Sequence, residues 1–287
     1  MESITNKYKW MGVVTLFNPS LKELESKLCS YASDLDFLLL WVNSPMNDED
    51  KSTLKECLER MEVNYHLHFS SENVCIAPAI NEAMAYGIAH AYDFLLIMDQ
   101  DSQWSHFLAY RHDVEKCWSA GEHAAFTPYV AGYDAWVIRH NIEHRRFFIN
   151  SGTVLHLSIL EKIGGADIAF PLDALDMDLS VRIQQAGYTI DCLTANMLYH
   201  TIGAPKRSRW LKLLTNDYNA YRTYTIARSH LIFVRKHHEW LTWKELLITF
   251  REHYFYKFFR IILVESDKRE RMKMLFKGIK DGLNYKL

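Results

Sequence analysis

This 287-residue chain is predicted to fold as an α/β protein with a mostly parallel sheet flanked by helices. Between Trp10 and Met98, apolar runs of strand type alternate with segments of helical spacing, the pattern of a sheet covered on both faces. Apolar content is 49% and charged content is 24%, as in ordinary globular proteins. No apolar run approaches the ~20 residues that a membrane-spanning helix needs.

The first third of the chain contains the clearest alternation. Its predicted strands are the apolar runs Trp10–Phe17, Phe37–Val42, Val63–Phe69 and Phe94–Met98. Its predicted helices are Ser20–Tyr31, with Ser20 as N-cap, Asp50–Met61 and Ala77–Ala91. Ligands of such sheets bind beyond the carboxyl ends of the strands. We therefore expect the loops after Phe17, Val42 and Met98 to form one rim.

The remaining chain is less regular. Helices are predicted at Ser105–Ser119, Ser158–Ile163 and Leu175–Ala186. Strands are predicted at Ala124–Tyr129, Ala135–Arg139, Phe147–Leu155, Tyr188–Leu193 and Met197–His200. Pro205 is the predicted boundary between a first domain, residues 1–205, and a helical C-terminal extension, residues 206–287.

The two predicted domains carry opposite charge. Residues 1–205 contain 14 Lys and Arg against 27 Asp and Glu, whereas residues 206–287 contain 19 against 8. The extension is also aromatic, and a basic, aromatic, helical segment suits an anionic membrane surface. The alternative is an extension packed on the acidic body with its lysines in solvent. Nucleic-acid binding is not expected, because the body is acidic and contains no binding motif.

Cysteine usage and the N-terminus bear on location. The five cysteines are scattered and form no CxxC motif, which favours reduced thiols and argues against a zinc knuckle. Residues 1–7 contain no apolar signal-peptide segment. We expect a cytoplasmic protein, held peripherally at the inner membrane face if the extension binds lipid.

The most informative motif is Asp99-Gln100-Asp101-Ser102, which directly follows an apolar run. In an extended segment, residues i and i+2 point to the same side, so Asp99 and Asp101 can converge on one cation. Hard oxygen ligands favour Mg²⁺ or Mn²⁺, ions that often also hold substrate phosphates. The alternative for an isolated Asp-x-Asp is a solvated turn.

Two further polar segments are candidates for chemistry. Asp176 lies where a helix is predicted to start, a place that acids also favour because of the helix dipole. The functional interpretation makes Asp176 a base and pairs Arg182 with a carboxylate or a substrate phosphate. His200 ends the last predicted strand and is either a structural histidine or a third ligand of the site begun by Asp101.

Together these motifs resemble a known enzyme family. They are, in order, LFNP, NVCIAPAIN, DQDS, Asn150-Ser151-Gly152, LDALDMDLSVR followed by AGY, and HTIG. Over residues 10–235 the chain resembles inverting family 2 glycosyltransferases with the GT-A fold, a Rossmann-like fold of nucleotide-diphospho-sugar transferases. DQDS with the later aspartate cluster is most similar to the bacterial rhamnosyltransferases of that family.

The resemblance implies a metal-dependent, inverting hexosyltransferase of cell-surface polysaccharide synthesis, with residues 1–205 as its catalytic domain. The donor would be a nucleotide diphosphate sugar, with dTDP-rhamnose favoured over a UDP- or GDP-sugar. The acceptor would be a glycan or a polyprenyl-linked glycan.

The resemblance also implies roles for individual residues. The base would be Asp176, supported by Asp178 and Arg182. The ligands of Mn²⁺ or Mg²⁺ would be Asp101, Asp99 and His200. The donor-binding positions would be Thr15, Phe17, Asn18, Asn43, Asn81, Asp99, Asn150, Ser151 and Gly152.

The chain departs from the family pattern at the second strand. That strand usually ends in an aspartate that reads the nucleotide base, and here Val42 is followed by Asn43. In the IAPAIN segment, the usual glycine is Cys75 and the usual alanine is Pro78. These changes leave open another nucleotide, or a degenerate homologue that serves as a glycan-binding scaffold. A sugar nucleotidyltransferase is disfavoured, because the loop at Phe17 is not the Gly-rich loop that holds a triphosphate.

Overall fold

The computed structural model describes residues 7–132, 134, 138, 140–200, 206–207, 214–215 and 218–287. It confirms the α/β class and the helical C-terminal part. The chain forms two compact units, which we call the sheet unit, Met1–Pro171 with Arg182–Thr201, and the helical unit, Leu172–Val181 with Ile202–Leu287. The boundary predicted at Pro205 lies outside the described residues.

Nine strands of the described chain form one sheet in the sheet unit. They are β1 (Trp10–Leu16), β2 (Phe37–Val42), β3 (Tyr65–Phe69), β4 (Phe94–Asp99), β5 (Ser102–Trp104), β6 (Ala124–Ala131), β7 (Ile142–His144), β8 (Thr153–His156) and β9 (Thr189–His200). Their order is β3-β2-β1-β4-β8-β6-β9-β5, with β7 paired to β9.

The sheet is mixed rather than mostly parallel. Strands β1 to β4 pair in parallel, as predicted, and β6 pairs in parallel with β9. Strand β8 is antiparallel to both β4 and β6, and β5 and β7 are antiparallel to β9. Parallel neighbours need a long crossover, usually a helix. The described residues between β6 and β8 include no helix, so these two neighbours run in opposite directions.

Six helices of the described chain begin in the first 185 residues: α1 (Leu21–Leu28), α2 (Asp48–Arg60), α3 (Ala77–Ala89), α4 (Phe107–Ser119), α5 (Leu157–Lys162) and α6 (Leu175–Gln185). A 3-10 turn covers Ala32–Asp34. Helix α2 begins two residues earlier than predicted, because the Asn47 side chain accepts the Asp50 N–H at 2.7 Å. Ser20, the predicted cap of α1, makes no capping bond through its side chain.

The later strands differ most from the prediction. The strand predicted at Phe147–Leu155 is reduced to β8, because the chain turns at Gly152, whose φ is +81°. The two strands predicted after residue 187 are one continuous strand, β9. The strand predicted at Ala135–Arg139 lies outside the described residues, apart from Ile138.

The core of the sheet unit lies on the central strands. All six residues of β2 are buried, and so is every residue of β1 except Thr15, which is half-buried. The rings of Trp10 and Phe94 pack with their centroids 4.8 Å apart. At the carboxyl ends of the same two strands, Thr15 of β1 lies opposite Asp99 of β4. The buried centre of the sheet thereby places polar residues on a common edge.

The helical unit contains the first part of α6 and the C-terminal helices. These are α7 (Ala220–His237), α8 (Trp243–Phe250), a π-helical segment Arg251–Tyr256, α9 (Lys257–Leu263) and α10 (Lys268–Asn284). Two-residue strands β10 (Lys206–Arg207) and β11 (Leu214–Thr215) pair antiparallel. Helix α10 approaches α7 closely at Gly278, where an added Cβ would lie 2.6 Å from the Tyr224 carbonyl oxygen. Within the described residues, none of the helices combines the length and the apolar character needed to cross a membrane.

Candidate metal and donor site

Three potential metal ligands meet at the carboxyl ends of two strands. Asp99 ends β4, Asp101 follows two residues later, and His200 ends β9. One ligand atom from each lies within 4.8 Å of the other two. We call these residues the metal group. It is the predicted set, and no other cluster of this kind occurs in the described parts of the chain.

The donor atoms of the metal group fit a divalent cation. The Oδ1 atom of Asp101 is buried and accepts no hydrogen bond, and Nδ1 of His200 lies 3.3 Å from it. A bound cation would give this buried oxygen a direct ligand contact in addition to the nearby imidazole. Contact with Asp101 raises the pKa of His200, although burial of the ring opposes this. The metal group is therefore suited to bind a cation.

Two serine hydroxyl groups form a chain of hydrogen bonds that connects His200 to the backbone of Asp99. The Ser102 hydroxyl lies 2.7 Å from Nδ1 of His200, and the Ser151 hydroxyl donates to Ser102 at 2.7 Å. The backbone N–H of Asp99 in turn donates to Ser151 at 3.2 Å. The hydrogen bond between Ser102 and Nδ1 holds the imidazole ring of His200 in a fixed orientation. The role of Ser102 was not predicted from the sequence, although Ser102 is the fourth residue of the DQDS motif.

The loops after β1, β2 and β4 lie together, as predicted. The side-chain amide of Gln100 accepts the N–H of Phe17 at 2.8 Å and donates to its carbonyl at 3.1 Å. The next residue, Asn18, has a φ of +47° and donates its N–H to the Ser44 hydroxyl at 2.8 Å. The Phe17 side chain is 49% exposed, so its ring is available to a ligand at this edge.

Two predicted donor-binding amides are engaged within the protein. Asn43 is buried, accepts the Trp41 indole N–H at 3.0 Å and donates to the Cys75 carbonyl at 2.8 Å. Asn81 donates to the carbonyl of Ala166 and accepts its N–H, at 2.8 and 2.7 Å. Asn43 thus joins two loops and Asn81 joins helix α3 to the loop at Ala166, and their donor-binding role remains a prediction.

The predicted segment Asn150–Gly152 forms the turn that precedes β8. Asn150 has a buried Oδ1 atom that accepts no hydrogen bond. Ser151 is fully buried within the hydroxyl chain. At Gly152, an added Cβ would lie 2.8 Å from side-chain carbons of both Leu198 and Pro128. The turn therefore requires glycine, and it presents one unsatisfied amide oxygen.

The two aspartates at the start of α6 differ in their surroundings. Asp178 is fully buried and its Oδ1 accepts from Nζ of Lys236 and Nε2 of His237, each at 2.8 Å. Asp176 is half-buried, and its Oδ1 accepts the N–H of Met177 at 2.9 Å. Asp178 is thus ion-paired with Lys236 and hydrogen-bonded to His237, whereas Asp176 is half-exposed.

Arg182, on the last turns of α6, donates from Nη1 to the carbonyls of Ile163 and Gly165, each at 2.7 Å. These bonds tie α6 to the loop after α5 within the sheet unit. The pairing with a carboxylate or a phosphate expected from the sequence remains a prediction.

Comparisons with known proteins bear on the fold. No protein-family model and no curated protein matches the chain. Among solved structures, the chain is similar to S. aureus TarS, with a TM-score of 0.58 and 12% identity over 95% of this chain and 49% of that one. A structure of GalNAc-T7 with UDP, GalNAc and Mn²⁺ gives a TM-score of 0.62 and 12% identity, over 96% and 56%.

A mannosyltransferase from Pyrobaculum calidifontis, in complex with GDP-Man and Mn²⁺, gives a TM-score of 0.57 and 16% identity over 99% of this chain and 77% of that one. The chain spans about half the length of TarS and GalNAc-T7. The similarity extends over nearly the whole of this chain in each case. The chain therefore has the GT-A fold of these glycosyltransferases.

Proposed function

We propose that this protein is a metal-dependent, inverting glycosyltransferase that moves a hexose from a nucleotide diphosphate donor to an acceptor hydroxyl. The observation that supports this most directly is the metal group on a GT-A fold. Asp99, Asp101 and His200 converge at the edge of the sheet, and a buried oxygen of Asp101 accepts no hydrogen bond. The proposed cofactor is Mn²⁺ or Mg²⁺, held by these three residues.

In the proposed mechanism, Asp176 accepts the proton of the acceptor hydroxyl while the hydroxyl oxygen bonds to the anomeric carbon. The bond from that carbon to the diphosphate breaks on the opposite side, so the configuration inverts. A divalent cation held by Asp99, Asp101 and His200 would supply positive charge against the negative charge that develops on the diphosphate. Asp178 is buried, ion-paired with Lys236 and hydrogen-bonded to His237, and the base proposed here is the half-exposed Asp176.

The base is tested with Asp176→Asn. Proton removal by a positioned base contributes about 10²–10⁴ in rate. Transfer should fall by that factor, while the stabilisation of the protein by nucleotide and Mn²⁺ stays unchanged. Asp48→Asn is the matched control, because Asp48 is also an acid in the first turn of a helix, with a side chain 99% exposed. Near-normal transfer by the Asp176→Asn variant would show that Asp176 is not the base.

The metal dependence is tested by chelation. EDTA should abolish transfer, and Mn²⁺ or Mg²⁺ should restore it. Transfer that is indifferent to EDTA would overturn the assignment of Asp99, Asp101 and His200 as ligands.

For the donor we favour dTDP-rhamnose, with transfer to a glycan or polyprenyl-linked acceptor in cell-surface polysaccharide synthesis. The support is the resemblance of the DQDS motif and the later aspartate cluster to rhamnosyltransferases. A thermal-shift series with Mn²⁺ and dTDP, UDP, GDP or CDP tests the choice, because a ligand of the folded state raises its stability by mass action. A shift with dTDP alone is expected. A shift only with UDP or GDP would mean that the donor is a UDP- or GDP-sugar instead.

A non-catalytic scaffold is the second candidate. The observation in its favour is Asn43, which follows Val42 at the place where the family reads the base, and whose side chain makes three hydrogen bonds within the protein. A complete lack of stabilisation by all four nucleotides would favour this second candidate.

We also propose peripheral membrane attachment through the extension at residues 206–287. Large apolar side chains between Trp243 and Leu263 are each at least 40% exposed: Trp243, Leu247, Ile248, Phe250, Phe255, Tyr256, Phe259, Ile262 and Leu263. Such surfaces, in a basic helical segment, suit an anionic bilayer. The double variant Phe255→Ser/Phe259→Ser should lose flotation with anionic phospholipid vesicles, whereas Phe69→Ser, in the sheet unit, should not. Equal flotation of both variants would contradict the attachment.

A further inference from the structure

The helical unit contains a polar cavity of about 340 Å³. Its lining residues are Asp173, Tyr218, Arg222, Ile226, His230, Glu252, His253, Lys257, Arg260 and Glu265. We call it the helical-unit pocket. Its volume lies within the ~300–1,000 Å³ range of small-molecule sites. None of its residues belongs to the metal group, and the proposed reaction gives it no role.

Three carboxylates and three basic side chains line the helical-unit pocket. Each of its carboxylates is ion-paired, and the pairs are Asp173 with Arg222, Glu252 with Arg251 and Arg260, and Glu265 with Lys257 and Arg271. Arg251 and Arg271 contact these carboxylates from outside the lining of the pocket. The Arg260 guanidinium is the least engaged, because its one carboxylate contact, with Glu252, is 3.6 Å long and exceeds hydrogen-bond distance. Arg260 is therefore the cation of the lining that is best able to bind an anionic ligand.

Two histidines of the helical-unit pocket have unused hydrogen-bonding capacity. The rings of His230 and His253 stack with centroids 3.5 Å apart. His230 is 7% exposed, and its buried Nδ1 makes no hydrogen bond. Burial lowers the pKa of His253 to about 4 and that of His230 well below its usual value, so both rings are uncharged at neutral pH. A buried polar atom without a partner calls for an explanation, and a ligand atom in the pocket provides one.

The stacked arrangement argues against a metal ion as that ligand. The two ring planes are 14° from parallel, so the nitrogen lone pairs, which lie in these planes, point side by side rather than at one ion. A phosphate group instead accepts hydrogen bonds from several directions. Guanidinium groups, an ammonium group and imidazole N–H groups are all donors to phosphate oxygens.

The helices that carry the helical-unit pocket have an inverted distribution of polarity. Lys257 and Glu265 are 8% and 3% exposed, whereas Phe259 and Leu263, on the same stretch, are 42% and 50% exposed. In water, charged residues are usually exposed and large apolar ones buried. A ligand with an anionic head and an apolar chain matches both surfaces, with the head in the pocket and the chain along the exposed aromatic side.

We propose that the helical-unit pocket binds the phosphate group of a phosphorylated lipid. Binding itself does not depend on the reaction proposed above. The further statement that this lipid is the acceptor, or carries it, rests on the proposed function.

The test measures binding to the full-length protein by titration calorimetry, in EDTA so that the metal group holds no cation. Three probes separate the sources of affinity: farnesyl diphosphate, pyrophosphate and farnesol. Farnesyl diphosphate should bind saturably and at least tenfold more tightly than the other two. Equal affinity for pyrophosphate would point to a free phosphate compound and overturn the lipid. Equal affinity for farnesol would overturn the phosphate site.

Single variants test whether farnesyl diphosphate binds in the helical-unit pocket. Arg260→Gln and His253→Gln should each weaken farnesyl diphosphate at least tenfold, with unfolding temperatures close to that of the unmodified protein. Arg269→Gln is the matched control, because it removes an exposed cation of the same unit outside the pocket. If all three variants bind equally, or if no saturable binding occurs, the proposal is wrong.

One further pair of measurements separates this proposal from the glycosyltransferase proposal. Arg260→Gln should keep the stabilisation by nucleotide and Mn²⁺, and Asp101→Asn should keep the binding of farnesyl diphosphate in EDTA. If nucleotide and Mn²⁺ fail to stabilise the unmodified protein while farnesyl diphosphate still binds, the proposed function is contradicted and the lipid site stands. Loss of farnesyl diphosphate binding in Asp101→Asn would place that ligand at the metal group instead.

Discussion

Ser102 and His200 are direct cross-strand neighbours in the β5–β9 ladder, and the serine hydroxyl lies 2.7 Å from Nδ1 of the histidine. A hydrogen bond to one ring nitrogen fixes the tautomer and orientation of the other, and loss of such a bond commonly weakens metal binding about 10–100-fold. We therefore expect Ser102→Ala to weaken Mn²⁺ binding by that factor, measured by titration calorimetry. Ser105→Ala is the control, because the Ser105 hydroxyl donates only to the Met197 carbonyl. Equal affinity of both variants would show that the hydroxyl does not orient the ring.

Asp101→Asn should separate metal binding from folding. The change keeps the size of the side chain and removes one of two carboxylates that lie close together without a cation. The metal-free variant should unfold at a temperature equal to or above that of the unmodified protein. The rise in unfolding temperature on adding Mn²⁺ should disappear. A metal-free variant that unfolds earlier, and still responds to Mn²⁺, would indicate a structural role for Asp101.

Gly152→Ala should destabilise the sheet unit through a steric clash. Its Cβ would lie 2.8 Å from two side chains, at a φ of +81°. We expect a loss of about 2–4 kcal/mol, the sum of overpacking and backbone strain. Gly121→Ala is the control, because its φ of +90° is equally strained but no atom lies within 4 Å of the added Cβ. Urea unfolding measures both, and similar losses would mean that the neighbours relax.

Glu265→Gln should strongly destabilise the helical unit. Glu265 is 3% exposed and accepts from Nζ of Lys257 at 2.9 Å and Nη1 of Arg271 at 3.1 Å. Removing its charge leaves two buried cations without this carboxylate, which typically costs about 3–5 kcal/mol. Glu270→Gln, at an exposed position of α10, should change the free energy of unfolding by less than about 0.5 kcal/mol. A loss for Glu265→Gln no larger than that of the control would contradict this ion-pair cluster as a stabilising element.

The folded protein should become less stable as the pH is lowered, because of His253. Burial lowers its pKa in the folded protein to about 4, below the ~6.5 of an unfolded chain, and the nearby charges are Glu252, which raises this pKa, and Arg260, which lowers it. Between these two values the unfolded state binds more protons, so stability decreases as pH falls from 7 to 5, by about 2 kcal/mol for this group. His253→Gln should remove that part of the slope in urea unfolding. An unchanged slope would mean that other groups determine it.

The strands and the metal group were predictable because their signals are local. A buried strand is a continuous apolar run, and Asp99 and Asp101 follow such a run directly. The three-residue strands β5 and β7 were missed, because stretches so short have no distinctive pattern and form only against β9. The mixed direction of the sheet also depends on pairing between distant segments.

The roles of polar side chains were less predictable. Asn43 and Asn81 were assigned to the donor from their motif positions, yet both bond to distant backbone groups, at Cys75 and Ala166. The helical-unit pocket brings Asp173 next to Arg222 and His230 next to His253. Such proximity between distant segments cannot be deduced from spacing along the chain.

The double hydrogen bond between Gln100 and the backbone of Phe17 has a thermodynamic consequence. These two bonds connect the loop that would contact the nucleoside to the loop that holds Asp99 and Asp101, so the two loops should become ordered together. Ordering of one loop by its ligand then lowers the entropy cost of ordering the other. Reciprocity requires each ligand to increase the affinity for the other by the same factor. Cation and nucleotide would then bind cooperatively even where they share no direct contact.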